Sequence, residues 1–263
     1  MVPAMHMNLF DEIKPRPYVG LDGIKLSYGA GGSNGSFALS IDSLRIEGGK
    51  IHCIYGTNGC GKTSLLKLLA RVIPLREGRV KWEGLKSPVP GQDYILVTQA
   101  GPWPHWSVWR NICEPQIERG GVYREKAEEK TRAVISLLGL EGLEGRYAHQ
   151  LSAGQQQRTV LARAFVLSPK ILFLDEVMSG QSEYWAERIA AILRSFADLG
   201  GMVVMVSHDP EWVMVNADRV THIVSTLGDA VSSTHFFCGY DGDSKCWSGF
   251  REERLRLLMD EKG

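Results

Sequence analysis

No charge of either sign predominates in this 263-residue chain: thirty Lys plus Arg stand against thirty Asp plus Glu. The broad basic excess that draws a protein to nucleic acid is missing, so no nucleic-acid partner is expected. Cysteine is sparse. The five residues Cys53, Cys60, Cys113, Cys238 and Cys246 are odd in number and form no Cys-x-x-Cys pair. That excludes a simple disulfide framework and the usual zinc spacing, and implies a reducing, cytosolic setting. Long apolar runs are also lacking. No window approaches the roughly 18 apolar residues of a membrane span, and the N-terminal stretch interrupts any signal-like run with acids and prolines. Fixed-period repeats are absent too, which argues against a solenoid.

What remains is 44% hydrophobic residues in a length that suits one large domain or two closely packed ones. Runs at Val19 to Tyr28 and Phe37 to Ile46 read as strands, separated by the Gly/Ser-rich segment Gly29 to Gly35. No helical pattern follows that glycine cluster, so it reads as a hairpin tip and not as a phosphate loop. A short apolar strand, Ile51 to Tyr55, then leads through a Gly-rich turn into a helical pattern over Thr63 to Val72. Strand and helix alternate again at Ile171 to Leu174 with Ser182 to Leu199, and at Met202 to Val206 with Pro210 to Asn216. This alternation predicts an α/β fold whose parallel sheet is covered on both faces. Between about 105 and 168 the pattern becomes helical throughout: Val108 to Ile117, Arg124 to Leu138 and Gly154 to Leu167. It reads as a helical insertion between two strands. From Asp229 a short strand pair is expected, then a charged terminal helix over Gly249 to Lys262.

Three motifs carry chemistry. Gly56-Thr57-Asn58-Gly59-Cys60-Gly61-Lys62-Thr63 fills the pattern G-x-x-x-x-G-K-[ST], between a strand and a helix as phosphate binding requires. Its glycines allow backbone N–H groups to surround phosphate oxygens, and the helix N-terminus adds a favourable dipole. Gly56, Asn58, Gly59, Cys60, Gly61, Lys62, Thr63 and Ser64 are therefore candidate nucleotide contacts. Lys62 would reach the β- and γ-phosphates and the Thr63 hydroxyl would ligate Mg²⁺. Second, the apolar run Ile171 to Leu174 ends in Asp175 and Glu176. Asp175 is a candidate Mg²⁺ ligand, and Glu176 a candidate base for an attacking water.

Third, Leu151-Ser152-Ala153-Gly154-Gln155-Gln156-Gln157-Arg158 precedes a helix about twenty residues ahead of the acidic strand. This segment resembles the Leu-Ser-Gly-Gly-Gln signature of ATP-binding cassette (ABC) ATPases. The order phosphate loop, signature, acidic strand and Ser207-His208-Asp209 is similar to that family's, over about residues 18 to 225. The resemblance implies a P-loop NTPase core with a mainly parallel sheet, an N-terminal antiparallel β subdomain and a helical subdomain at about 105–168. Residues 1–17 and 226–263 would then be an extension and a tail.

The same resemblance assigns Gln99 as the glutamine that senses metal and γ-phosphate, and His208 as the switch histidine on the γ-phosphate. Tyr28 matches the aromatic residue against adenine, with a place in the core as the lesser alternative for a strand-end aromatic. Ser152, Gly154 and Gln155 would cap the γ-phosphate of an opposing protomer, so a dimer with two sandwiched ATP molecules is implied. The second protomer could be an identical chain or a different one.

The sequence departs from the family pattern in three places. Ala153 replaces a signature glycine, which costs on the order of 1 kcal/mol and slows turnover if that backbone needs φ > 0. Val177 replaces a proline. Gln181-Ser182 stand where Leu-Asp is typical, removing a carboxylate from cross-dimer communication.

Three of the seven tryptophans, Trp103, Trp106 and Trp109, fall within seven residues. They suit either a socket for a helix of a membrane subunit or the core of the helical insertion. The resemblance, closest here to polar amino acid importers, implies an ATP-hydrolysing subunit working with membrane-spanning subunits and an extracytoplasmic solute-binding protein. It would sit in the cytoplasm, peripheral on the inner face of the membrane. A soluble cassette of iron–sulfur assembly and a regulatory nucleotide binder are the alternatives. Cys60, inside the phosphate loop, is expected to be open to alkylation, and Cys53 to be core.

Overall fold

The computed structural model describes residues 10–28, 37–85, 87–98, 105–223 and 235–239, the side chains of residues 27, 28, 37, 38, 119, 120 and 235–239 excepted. Gln99, Trp103, Cys246, the segment Gly29 to Gly35 and the expected terminal helix lie outside the described residues, as do the side chains of Tyr28 and Cys238.

Two sheets share the core. The smaller is antiparallel, with β1 (Tyr18–Tyr28) between β2 (Phe37–Glu47) and β4 (Glu77–Glu83). β4 answers no sequence expectation. Its residues are mostly exposed, so the inward alternation that marks a strand is faint in Glu77-Gly78-Arg79-Val80-Lys81-Trp82-Glu83.

The larger sheet has the order β5 (Tyr94–Val97), β6 (Ile171–Asp175), β7 (Met202–Val206), β3 (Lys50–Gly56), β8 (Arg219–Ile223) and β9 (His235–Gly239). Every pairing from β5 to β8 is parallel, and β9 pairs antiparallel with β8. β9, in the segment expected to hold a short strand pair, joins the sheet through β8; the rest of that segment lies outside the described residues. Strand alternation divides the parallel sheet between two cores. Cys53, Leu172, Leu174, Val203 and Met205 face one, and Ile54, Ile171, Phe173, Met202 and Val204 the other. Such strands read as unbroken apolar runs because both faces are covered. Each fully buried Leu or Phe contributes roughly 1.5–3 kcal/mol.

Helix α1 (Lys62–Leu69) stops a turn short of the expected Val72. The chain turns at Arg71, whose φ is 55°, and Pro74 lies just beyond. Between β5 and β6 run α2 (Val108–Gly120), α3 (Arg124–Leu137) and α4 (Ala153–Phe165), with α2 and α4 in mutual contact. α5 (Glu183–Asp198) and α6 (Pro210–Asn216) complete the helices among the described residues. Phe10 packs edge-on against Phe165 and Phe196, so the residues before β1 are fastened to the core.

Candidate nucleotide site

Three neighbouring strands, β6, β7 and β3, end at one level: Asp175 pairs with Val206, and Val206 with Ile54. The loops that follow them carry the phosphate loop, Glu176 and His208, while the signature segment lies apart at the start of α4. This is the crevice beyond strand C-termini where open parallel sheets bind ligands.

Gly56 ends β3 at φ 153°, with the Ile223 carbonyl oxygen and Cys60 Sγ only 2.4 and 2.7 Å from where a Cβ would stand. Gly61 opens α1 at φ 106° with no side chain capping the helix, and no acidic residue occupies the first turn. The first N–H groups of α1 are thereby left without an acceptor from a capping side chain, a suitable lining for an anion. Lys62 is buried, and its Nζ donates to the carbonyl oxygens of Gly56 at 2.8 Å and Thr57 at 2.9 Å. Asn58, Gly59, Gly61, Lys62, Thr63 and Ser64 share a cavity of about 390 Å³ with Glu176, more than a hundred residues away in sequence.

Thr63 Oγ1 donates to Asp175 Oδ1 at 3.1 Å. Burial raises the Asp175 pKa; the Thr63 hydrogen bond opposes the rise, the Glu176 charge adds to it, and Lys67 and Lys62 oppose it. A hydroxyl and a carboxylate already in contact form a hard-oxygen pair that fits Mg²⁺. Glu176 holds φ at 53°, a left-handed value rare for a residue with a side chain, and its N–H donates to the Val206 carbonyl at 3.2 Å. Its Oε1 lies 3.4 Å from His208 Nδ1. The acid and the histidine, from the ends of different strands, therefore face each other.

The signature segment begins α4. Ser152 is the N-cap: its Oγ accepts from the Gln155 N–H at 3.3 Å, while Gln155 Oε1 accepts from the Ser152 N–H at 2.9 Å. This capping box commits the Gln155 carbonyl group to the helix end. Ala153 is the first helical residue and is not among the positive-φ positions. The strain foreseen for Ala153 is therefore absent, because the position asks for ordinary helical backbone.

Cys60 also departs from expectation. It is buried, and burial raises its thiol pKa against the pull of Lys62, so it is not the open alkylation target foreseen. Cys53 is core, as expected. Of the tryptophans, Trp106 is half-buried under the Arg110 guanidinium at 4.7 Å, and Trp109 packs partly on the core with Arg132 at 5.6 Å. Missed by sequence reasoning are Gln181, which bonds to both Gly154 and Arg158, and the ring of Trp185 beneath Arg158. Helical spacing of Trp185 carries no hint of that contact.

The family model of the ABC transporter matches residues 39–179, more than half of the chain. The chain belongs to the ABC transporter family. It is an ATPase that binds ATP with Mg²⁺. Among curated relatives, the taurine import ATP-binding protein of Shigella flexneri is 31% identical over 74% of this chain and 76% of its own length. A sulfate/thiosulfate import ATP-binding protein of Chromobacterium violaceum is 37% identical over 70% of this chain and 51% of its own length. Among solved structures, a dimeric ATP-binding cassette in a post-hydrolysis state with ADP and Pi superposes with a TM-score of 0.69. It is 24% identical over 78% of this chain and 93% of that one, a likeness of fold.

Proposed function

We propose that this ABC ATPase drives the import of a small polar solute, as a dimer bound to membrane-spanning subunits. The observation that carries the chemistry is the convergence of Lys62, the Thr63–Asp175 pair and the Glu176–His208 pair at one sheet edge. ATP would lie along the phosphate loop, with the N–H groups of Asn58, Gly59, Cys60, Gly61 and Ser64 turned toward its phosphates. Lys62 would exchange its two loop carbonyls for β- and γ-phosphate oxygens. Thr63 and Asp175 would hold Mg²⁺, with Gln99 in support, and the ion would neutralise phosphate charge when bound. Glu176 would take the proton of the attacking water, and His208 would contact the γ-phosphate and hold the Glu176 carboxylate in place. Tyr28 would stack on adenine. Ser152, Gly154 and Gln155 would close over the ATP of the second protomer.

Support for import of a small polar solute comes from the relatives named for taurine and for sulfate. They favour the broad class over polar amino acids in particular. No helix among the described residues is long and apolar enough to cross a membrane, so in this reading location at the inner membrane face comes from partners. Trp106 and Trp109 would border the contact with them. The test is purification of the complex from native membranes in mild detergent. Two co-purifying membrane-spanning subunits are expected; recovery with soluble iron–sulfur assembly proteins instead would overturn the transport reading.

A further inference from the structure

The loop after Glu176 is tied to the signature helix by side chains from three separate segments. Two short turns, Ser179 N–H to the Glu176 carbonyl at 3.1 Å and Gln181 N–H to the Met178 carbonyl at 3.2 Å, carry the chain from the acid to Gln181. There the Gln181 carboxamide bonds in two directions. Its Nε2 donates to the Gly154 carbonyl at 3.2 Å, and its Oε1 accepts from Arg158 Nη1 at 3.3 Å. Arg158 is buried, its Nε has no hydrogen-bond partner, and its guanidinium lies 4.1 Å from the Trp185 ring centre. A buried cation without full hydrogen bonding relies on what does contact it, here the ring face and one amide oxygen. Trp185 in turn fits only because residue 139 is glycine: a Cβ there would lie 2.3 Å from the ring. The capping box then joins Ser152 rigidly to the same helical turn.

We propose that Gln181 and Trp185 are positioning residues that clip the signature segment to the loop following Glu176, making the two ATP sites of a dimer respond as one. The clip replaces, within one chain, the communication that the missing carboxylate at 181–182 would otherwise serve. It rests on the reading that Ser152 and Gly154 close over the ATP of the opposing protomer. A shift of Glu176 as its own ATP is hydrolysed is then carried through Gln181 to the Gly154 carbonyl, and so to the other site. Neither Gln181 nor Trp185 touches nucleotide in this arrangement; they act through the helix they hold.

The test uses the full chain. Steady-state ATP hydrolysis is measured against ATP concentration for wild type, Gln181→Ala, Trp185→Ala and Trp185→Phe, with melting temperature as a check on folding. A Hill coefficient near the two-site limit of about 2 is expected for wild type, falling toward about 1 in both alanine variants. Affinity for a fluorescent ATP analogue, measured on dilute monomer, should stay within about twofold, since RT ln 2 is only ~0.4 kcal/mol. Trp185→Phe should restore cooperativity, because a ring remains under Arg158. Undiminished cooperativity in Gln181→Ala overturns the clip. A different failure marks the underlying reading: if Glu176→Gln forms no dimer with ATP in light scattering, the two-site arrangement itself is wrong, whereas a dimer whose wild-type hydrolysis shows no cooperativity overturns the clip.

Discussion

Around Lys62 the groups that face the cavity are set by backbone. Gly56 and Gly61 take conformations closed to most residues, two main-chain carbonyls grip the ammonium, and Thr63 in the first turn of α1 meets Asp175 at the end of β6. Around Ser152 the equivalent order comes from side chains. Ser152 and Gln155 cap one another, and Gln181, Arg158 and Trp185 hold the helix from outside. A backbone cradle tolerates almost no change in its glycines but is indifferent to most neighbouring side chains. A side-chain brace has the opposite sensitivity: it depends on which side chains are present. In the proposed dimer the difference would suit a loop that grips phosphate in every state and a helix end that engages and releases the opposing protomer.

The largest effect expected is on chemistry at the cradle. Glu176→Gln keeps the shape and the contact with His208 but removes the proton acceptor. Hydrolysis should fall by about 10²- to 10⁴-fold while ATP binding persists, and ATP should hold the variant as a dimer. Phosphate release and light scattering check both. A wild-type rate of phosphate release would remove Glu176 as the base.

Next in size is a break in the backbone itself. Gly56→Ala places a methyl 2.4 Å from the Ile223 carbonyl oxygen and 2.7 Å from Cys60 Sγ, at a positive φ. Overpacking of this kind costs about 1–3 kcal/mol, and the strained φ adds to it. Melting should drop by about 5–10 °C, and ATP affinity should go with it. If Gly56→Ala melts and binds like wild type, the loop is not the rigid cradle described.

The cradle was legible in the sequence, and the brace was not. Lys62, Thr63, Asp175, Glu176 and His208 stand in motifs whose residue types and order are dictated by phosphate chemistry, and the apolar runs before them announced the parallel strands. The brace joins residues 139, 154, 158, 181 and 185, which no spacing rule links. Gln181 read only as a lost Leu, and Trp185 as one more residue of an amphipathic helix. The same limit hid β4 and β8. The first is largely exposed, and the second is recognisable chiefly through its pairing with β3 and β9. Cys60 shows the reverse error: its place in the motif suggested access, yet its side chain turns into the core behind the loop.

The smallest effect sharpens the comparison most, because it separates the two kinds of construction at a single residue. If the signature were built like the phosphate loop, restoring its missing glycine would relieve strain and raise turnover. Ala153 instead opens α4 with helical backbone, one residue after a cap that already satisfies the helix end. Ala153→Gly should then leave ATP hydrolysis within about twofold of wild type, a barrier change of ~0.4 kcal/mol. It should lower stability by about 0.5 kcal/mol, since glycine is a poorer helix residue than alanine. A tenfold rise in turnover would mean that the closed dimer demands a backbone at 153 that alanine resists, and that this end of the site is a cradle after all.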